Sequence, residues 1–207
     1  MQRRRVLINA FMSATQIVVV GMVLFVLYRF LLRTIGAEQL GIWSLLLATS
    51  SFAHVSNLGF SGSVVKFVSK YLAHGDEQKV SGIIQTACLS IGLFVRSFLI
   101  IAYPLAKWVI ELVVESGFLH LALSILPLAF VALWISIIAE IYQSGLDGCQ
   151  RIYIRNIIVM VGAVLQLLFS VLFAPAYGLT GLAYAQVARN IIVLFITVIL
   201  LKKYLHM

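Results

Sequence analysis

The sequence predicts an all-α integral membrane protein, a six-helix transmembrane bundle, on three observations. Of 207 residues, 62% are hydrophobic and 11% charged, against a soluble average of about half apolar and about a quarter charged. The charged residues gather between long uncharged stretches, as a hydrocarbon core ~30 Å thick requires of helices roughly 20 residues long. Lysine and arginine collect at alternate helix ends, the asymmetry that orients a membrane protein.

Arg3, Arg4 and Arg5 open the chain, and the apolar run behind them is too long for a signal peptide and lacks its small-residue cleavage site. The first span is therefore read at 7–32, retained in the protein, and the second at 41–65. A third, at 80–103, stops before Pro104; the stretch to Gly117, with Lys107, Trp108, Glu111 and Glu115 in an amphipathic pattern, is expected to lie along the interface as a helical turn or two. Spans at 118–141, 153–174 and 181–201 complete the set. No loop is long enough for a soluble domain, so residues 1–207 are read as a single transmembrane domain.

A cytoplasmic N-terminus places Arg3, Arg4, Arg5, Lys66, Lys70, Lys79, Arg151, Arg155, Lys202 and Lys203 on the cytoplasmic side and leaves chiefly Arg33 and Lys107 opposite. That satisfies the positive-inside rule and predicts both termini in the cytoplasm. The net charge of +8 is thus topological: no basic run is interleaved with aromatics, and nucleic acid is excluded as a partner. Cys88 lies inside an apolar stretch and Cys149 in a cytoplasmic loop, so no disulfide is expected.

Ionisable groups near the bilayer centre cost about 2.5–3.5 kcal/mol each on insertion scales, so each should face a partner or a wet cavity. Arg96 in the third span and Arg189 in the sixth lie well inside apolar sequence, whereas Arg29 and Glu140 sit nearer helix ends, within reach of snorkelling. Polar side chains also align at helical spacing: Asn9, Ser13 and Gln16; Ser50, His54, Asn57 and Ser61; Gln85 and Arg96 with Gly92; Gln186, Arg189, Asn190 and Thr197. The plain reading is interhelical hydrogen bonding worth about 0.6 kcal/mol apiece. Because such bonding needs no full charge, the two embedded arginines point further, to a polar, cationic interior shared by the four stripes.

Catalysis finds no support. The four histidines are scattered, with no HExxH, Cys pair or carboxylate at metal-ligand spacing, so no metal site is expected. GxSxG, Walker A and glycine-rich dinucleotide loops are absent, so neither an enzyme nor a cofactor is expected. Asp147 and Glu140 lead into the basic loop of Arg151 and Arg155, where ion pairing accounts for them.

Four segments carry a resemblance: Arg33-Thr-Ile-Gly-Ala-Glu-Gln-Leu-Gly41, Asn57-Leu-Gly-Phe60, Gly145-Leu-Asp-Gly-Cys-Gln-Arg151 and Tyr177-Gly-Leu-Thr-Gly-Leu-Ala-Tyr184. In order and spacing they resemble the bacterial polysaccharide exporters and O-antigen flippases of the multidrug, oligosaccharidyl-lipid and polysaccharide transporter superfamily. The likeness extends over the whole chain but only over the N-terminal lobe of a two-lobed flippase. It implies a bacterial inner-membrane protein that moves an undecaprenyl-diphosphate-linked oligosaccharide by alternating access between lobes. It also implies that a second lobe, from another chain or a second copy, completes the cavity, or that the chain is a truncated half.

By position, the resemblance places Arg29, His54 and Asn57 at the substrate; the face analysis places Arg96 and Arg189 there. A multidrug exporter lobe is the alternative within the superfamily and would need carboxylates and aromatics for cations. A membrane polymerase or acyltransferase on the same lipid carrier would need a large loop or a clear catalytic group. A non-transporting scaffold of a polysaccharide assembly complex is the remaining reading.

Overall fold

The computed structural model describes residues 2–205, with side chains described at 8–48 and 60–205. Five helical elements follow one another: α1 (Gln2–Thr34), α2 (Gly36–Ala73), α3 (Glu77–Val113), α4 (Ser116–Gly148) and α5 (Ile152–Tyr204). Among the described residues, Ile8–Thr34, α3, α4 and α5 are long and apolar enough to cross a membrane.

The 53-residue α5 is two helices. Gly178 breaks it with φ 57 and ψ −132, far from helical values. A Cβ built on Gly162 would lie 3.1 Å from Val193 Cγ2, although a straight helix would separate the two by about 46 Å. The arms, 152–177 and 179–204, therefore fold back against each other. At their open end the Arg151 guanidinium stands 5.0 Å over the Tyr204 ring. Each arm spans about 39 Å, enough for a crossing, and the bundle thus has six helices, as the sequence predicts.

The hinge is built from its own sequence. Pro175 lacks the N–H that would continue the helix, Gly178 takes the positive φ, and Gly181 packs against the backbone of Phe173 so closely that a Cβ would stand 2.3 Å from the Phe173 carbonyl oxygen. Tyr177 and Tyr184 meet edge to face across it at 6.3 Å.

One expectation needs correction. Pro104 does not end the third helix, and no separate interfacial turn follows: α3 continues unbroken to Val113, with Lys107, Trp108 and Glu111 on its last turns. Apolar helices tolerate proline when neighbouring groups take up the freed backbone carbonyl, and Pro127 sits inside α4 in the same way.

Two apolar clusters hold the bundle, one at each end. The first joins Val68, Val80, Ile84, Ile141, Leu146, Ile154 and Leu201 where α2 meets α3 and α4 meets α5. The second joins Leu31, Trp43, Leu46, Ile125, Leu126, Leu179 and Leu182 around the α1–α2 turn, the α3–α4 turn and the hinge. α4 packs against α2, α3 and α5, and α1 lies along α5. The α2–α4 crossing is tight at Gly148, where a Cβ would stand 2.6 Å from Val68 Cγ1 and whose carbonyl accepts the Ser69 hydroxyl at 3.0 Å.

Charge divides between the ends. Lys66, Lys70, Lys79, Arg151, Arg155, Lys202 and Lys203 cluster at the end bearing the α2–α3 and α4–α5 turns, while Arg33 and Lys107 lie toward the hinge end. In the α4–α5 turn Asp147 pairs with Arg155 at 3.0 Å, as the sequence suggests, and Gln150 adopts φ 57 to reverse the chain.

Candidate functional site

Arg189 occupies the middle of the second arm of α5, about 16 Å past Gly178 and about 22 Å before Tyr204 along the axis. Its guanidinium lies against the first arm at Gly162, where a Cβ would stand 3.3 Å from Nε and 3.4 Å from Nη2. A Cβ there would make the guanidinium or Val193 give by a few tenths of an ångström. Nη1 donates to Asn190 Oδ1 at 3.3 Å, and Nε is buried without a hydrogen-bond partner. Among the described residues Arg189 makes no ion pair. Asn190 itself is fixed, donating through Nδ2 to the Ala132 carbonyl of α4 at 2.7 Å. The arrangement is a positive charge held in place inside a six-helix bundle with donor capacity unused, which suits an anion such as a phosphate.

The other sequence-selected residues lie elsewhere. Arg29 is exposed on α1, five residues before its end at the α1–α2 turn. Arg96 is exposed on α3, beside a lateral groove of about 530 Å³ walled by Leu99, Tyr103, Phe130 and Trp134. That groove does not include Arg189, and α4 separates α3 from α5. His54 and Asn57 lie outside the described side chains.

The described stripes on α1, α3 and α5 do not meet in one hydrated interior, while Ser50, His54 and Asn57 of the stripe on α2 lie outside the described side chains. Ser13 on α1 accepts from Asn156 Nδ2 of α5 at 2.9 Å. Gln85 turns to Ser81 on its own helix, and the Gly92 carbonyl accepts from Trp134 Nε1 at 2.8 Å. Thr197 bonds back to the Val193 carbonyl. These are helix-joining or intrahelical bonds, as the plain reading of such residues has it. Gln186 and Ser136 share a small recess of about 20 Å³ between α2, α4 and α5, room for about one water.

Sequence reasoning passed over Gly162, which admits the guanidinium. Its signal was a glycine in an uninterrupted apolar helix, where an isolated glycine costs about 1 kcal/mol over alanine and so asks for a packing reason. Gln39, in the segment after α1, was also passed over: its Oε1 is buried without a partner and lies 3.4 Å from a Cβ built on Gly178, bringing two of the resemblance-carrying segments together at the hinge.

Gly162→Leu is expected to push the Arg189 side chain off the first arm. Anion binding should fall about tenfold, and overpacking should cost about 1–3 kcal/mol of stability; a binding titration and a thermal melt in detergent check both.

No protein-family model matches the chain, and no curated protein matches it. Two solved structures share its fold. One is an outward-facing multidrug resistance MATE family transporter of the MOP superfamily, with TM-score 0.68 and 13% identity over 92% of this chain and 41% of that one. The other is a MOP superfamily transporter from Pyrococcus furiosus, described by the reverse polarity of its binding pocket, with TM-score 0.65 and 12% identity over 93% of this chain and 42% of that one. The chain thus spans about two-fifths of the length of either, and its six helices have a fold that resembles a lobe of a MATE transporter.

Proposed function

We propose that the chain is one lobe of a membrane transporter that moves a lipid-linked oligosaccharide diphosphate across a bacterial inner membrane, for surface polysaccharide such as O-antigen. The observation that carries this reading is Arg189, half-buried midway along its arm, with a buried, unpartnered Nε and no ion pair among the described residues. A fixed cation in a low-dielectric site attracts a diphosphate strongly and repels cationic drugs. The four sequence segments that resemble those of polysaccharide exporters favour the same substrate class. Arg29, His54 and Asn57 are secondary candidates for substrate contact, whereas Arg96, exposed on α3 and apart from Arg189, is not. A second lobe, from another chain or a second copy, supplies the facing half of the pathway. The charge asymmetry of the two ends favours both termini in the cytoplasm. No enzymatic step and no cofactor enters this reading.

A second reading, drug export, is favoured by the printed description of one neighbour as a multidrug resistance transporter. The other neighbour is described by a reversed binding-pocket polarity that suggests a different function. Deletion of the gene separates the two. Flipping predicts loss of surface polysaccharide with accumulation of lipid-linked intermediates and unchanged drug tolerance. Unchanged polysaccharide with new drug sensitivity would overturn it in favour of export.

A further inference from the structure

A second lateral groove, of about 880 Å³, opens between α2 and α3 at the basic end. Its mouth is built around Tyr71, with Lys70 Nζ 5.8 Å and Lys79 Nζ 5.6 Å from the ring centroid. Lys79 is bridged to Asp76 at 2.6 Å, while Lys70 makes no ion pair among the described residues. Behind the mouth the walls turn apolar, with Phe67, Ile83, Ala87 and Ile91, relieved by the hydroxyls of Ser63, Thr86 and Ser90.

Along α3 the described lining runs from Lys79 to Ile91, with Phe60 to Tyr71 facing it from α2, about 18 Å at the helical rise. One leaflet of hydrocarbon is about 15 Å, half the core, so the described slot is deep enough for one acyl chain. Two lysines at the interface end, over an apolar slot of that depth, fit a molecule with an anionic head and an acyl tail.

We propose that this groove holds an anionic phospholipid of the leaflet at the basic end, its phosphate at Lys70 and Lys79 and one acyl chain between α2 and α3. The site is separate from Arg189, and its occupancy is independent of what the protein transports.

Phe67→Trp places a fluorophore in the slot. The full chain carrying this substitution, reconstituted in phosphatidylcholine vesicles, is titrated with bromine-labelled phosphatidylglycerol or bromine-labelled phosphatidylcholine, and the unsubstituted protein's quenching is subtracted. The introduced indole should be quenched with at least ~5-fold preference for phosphatidylglycerol, and adding K70Q and K79Q should bring the ratio to about one. Equal quenching by the two lipids, or a preference that survives K70Q and K79Q, would overturn the proposal. No quenching by either would also overturn it, showing protein rather than lipid over the groove. Should Phe67→Trp fail to fold, native mass spectrometry of the unsubstituted chain decides: retention of phosphatidylglycerol over phosphatidylcholine upholds the site, and equal retention overturns it.

Discussion

Replacing Arg189 by leucine is expected to make the protein more heat-stable while weakening, by about 10- to 100-fold, the diphosphate binding proposed for it. The guanidinium sits about midway along a membrane-crossing arm with its Nε unpartnered, and an arginine at such a depth opposes insertion by about 2.5–3.5 kcal/mol. Its bond to Asn190, 3.3 Å long, returns only part of that. An apolar replacement should recover about 1–2 kcal/mol, read as a thermal midpoint several degrees higher in detergent. Affinity should move the other way, by about 10- to 100-fold, the value of one charge-assisted hydrogen-bonded contact. Arg189→Lys should fall between, since an ammonium keeps the charge and loses the planar fork. A residue whose removal stabilises the fold and costs binding is held for function.

Gly181→Ala is expected to have the largest structural effect of a methyl added at any of the described glycines. The new Cβ would stand 2.3 Å from the Phe173 carbonyl oxygen and 2.6 Å from its carbon. Both are backbone atoms that cannot rotate away, and they lie on the far side of a hinge already fixed by Pro175 and Gly178. The arms of α5 must separate there, dismantling the contact of Leu179 and Leu182 with Trp43 and Ile125. The cost should reach at least ~3 kcal/mol, seen as loss of monodisperse protein after extraction. Gly62→Ala is the matched control: Gly62 has open space around it, and in a helix alanine should gain about 1 kcal/mol.

That contrast shows where the sequence stopped being legible. Gly59-Phe-Ser-Gly62 and Gly178-Leu-Thr-Gly181 look alike as strings, and spacing alone offers no reason to separate them. The second is a hinge because Pro175 precedes it and because the arms it joins are both apolar and must pack on each other, a tertiary condition no local window contains. The helices themselves were readable, since a bilayer imposes length and apolarity on each one. Where they end was less so: Pro104 reads as a stop by its chemistry, yet α3 passes through it.

Among the candidate residues, depth was readable and direction was not. Arg96 and Arg189 both lie deep in apolar sequence, but Arg96 faces outward on α3 while Arg189 faces Gly162 across the hairpin of α5. Helical periodicity assigns each residue to a face of its own helix. Which face meets which neighbour depends on how six helices pack, and here α4 at the centre decides it. The stripe on α1 was misleading for the same reason: its Ser13 accepts a hydrogen bond from Asn156 of α5, a residue on none of the stripes.

The most direct measurement is the affinity of the purified, detergent-solubilised chain for a short-chain polyprenyl diphosphate, with Arg189→Gln and Arg96→Gln variants beside it. Saturable binding that weakens at least ~10-fold in Arg189→Gln and stays within about twofold of the unsubstituted chain in Arg96→Gln is the expected result. Equal affinity in all three proteins would contradict the proposed assignment of the Arg189 guanidinium as the group that holds a substrate diphosphate.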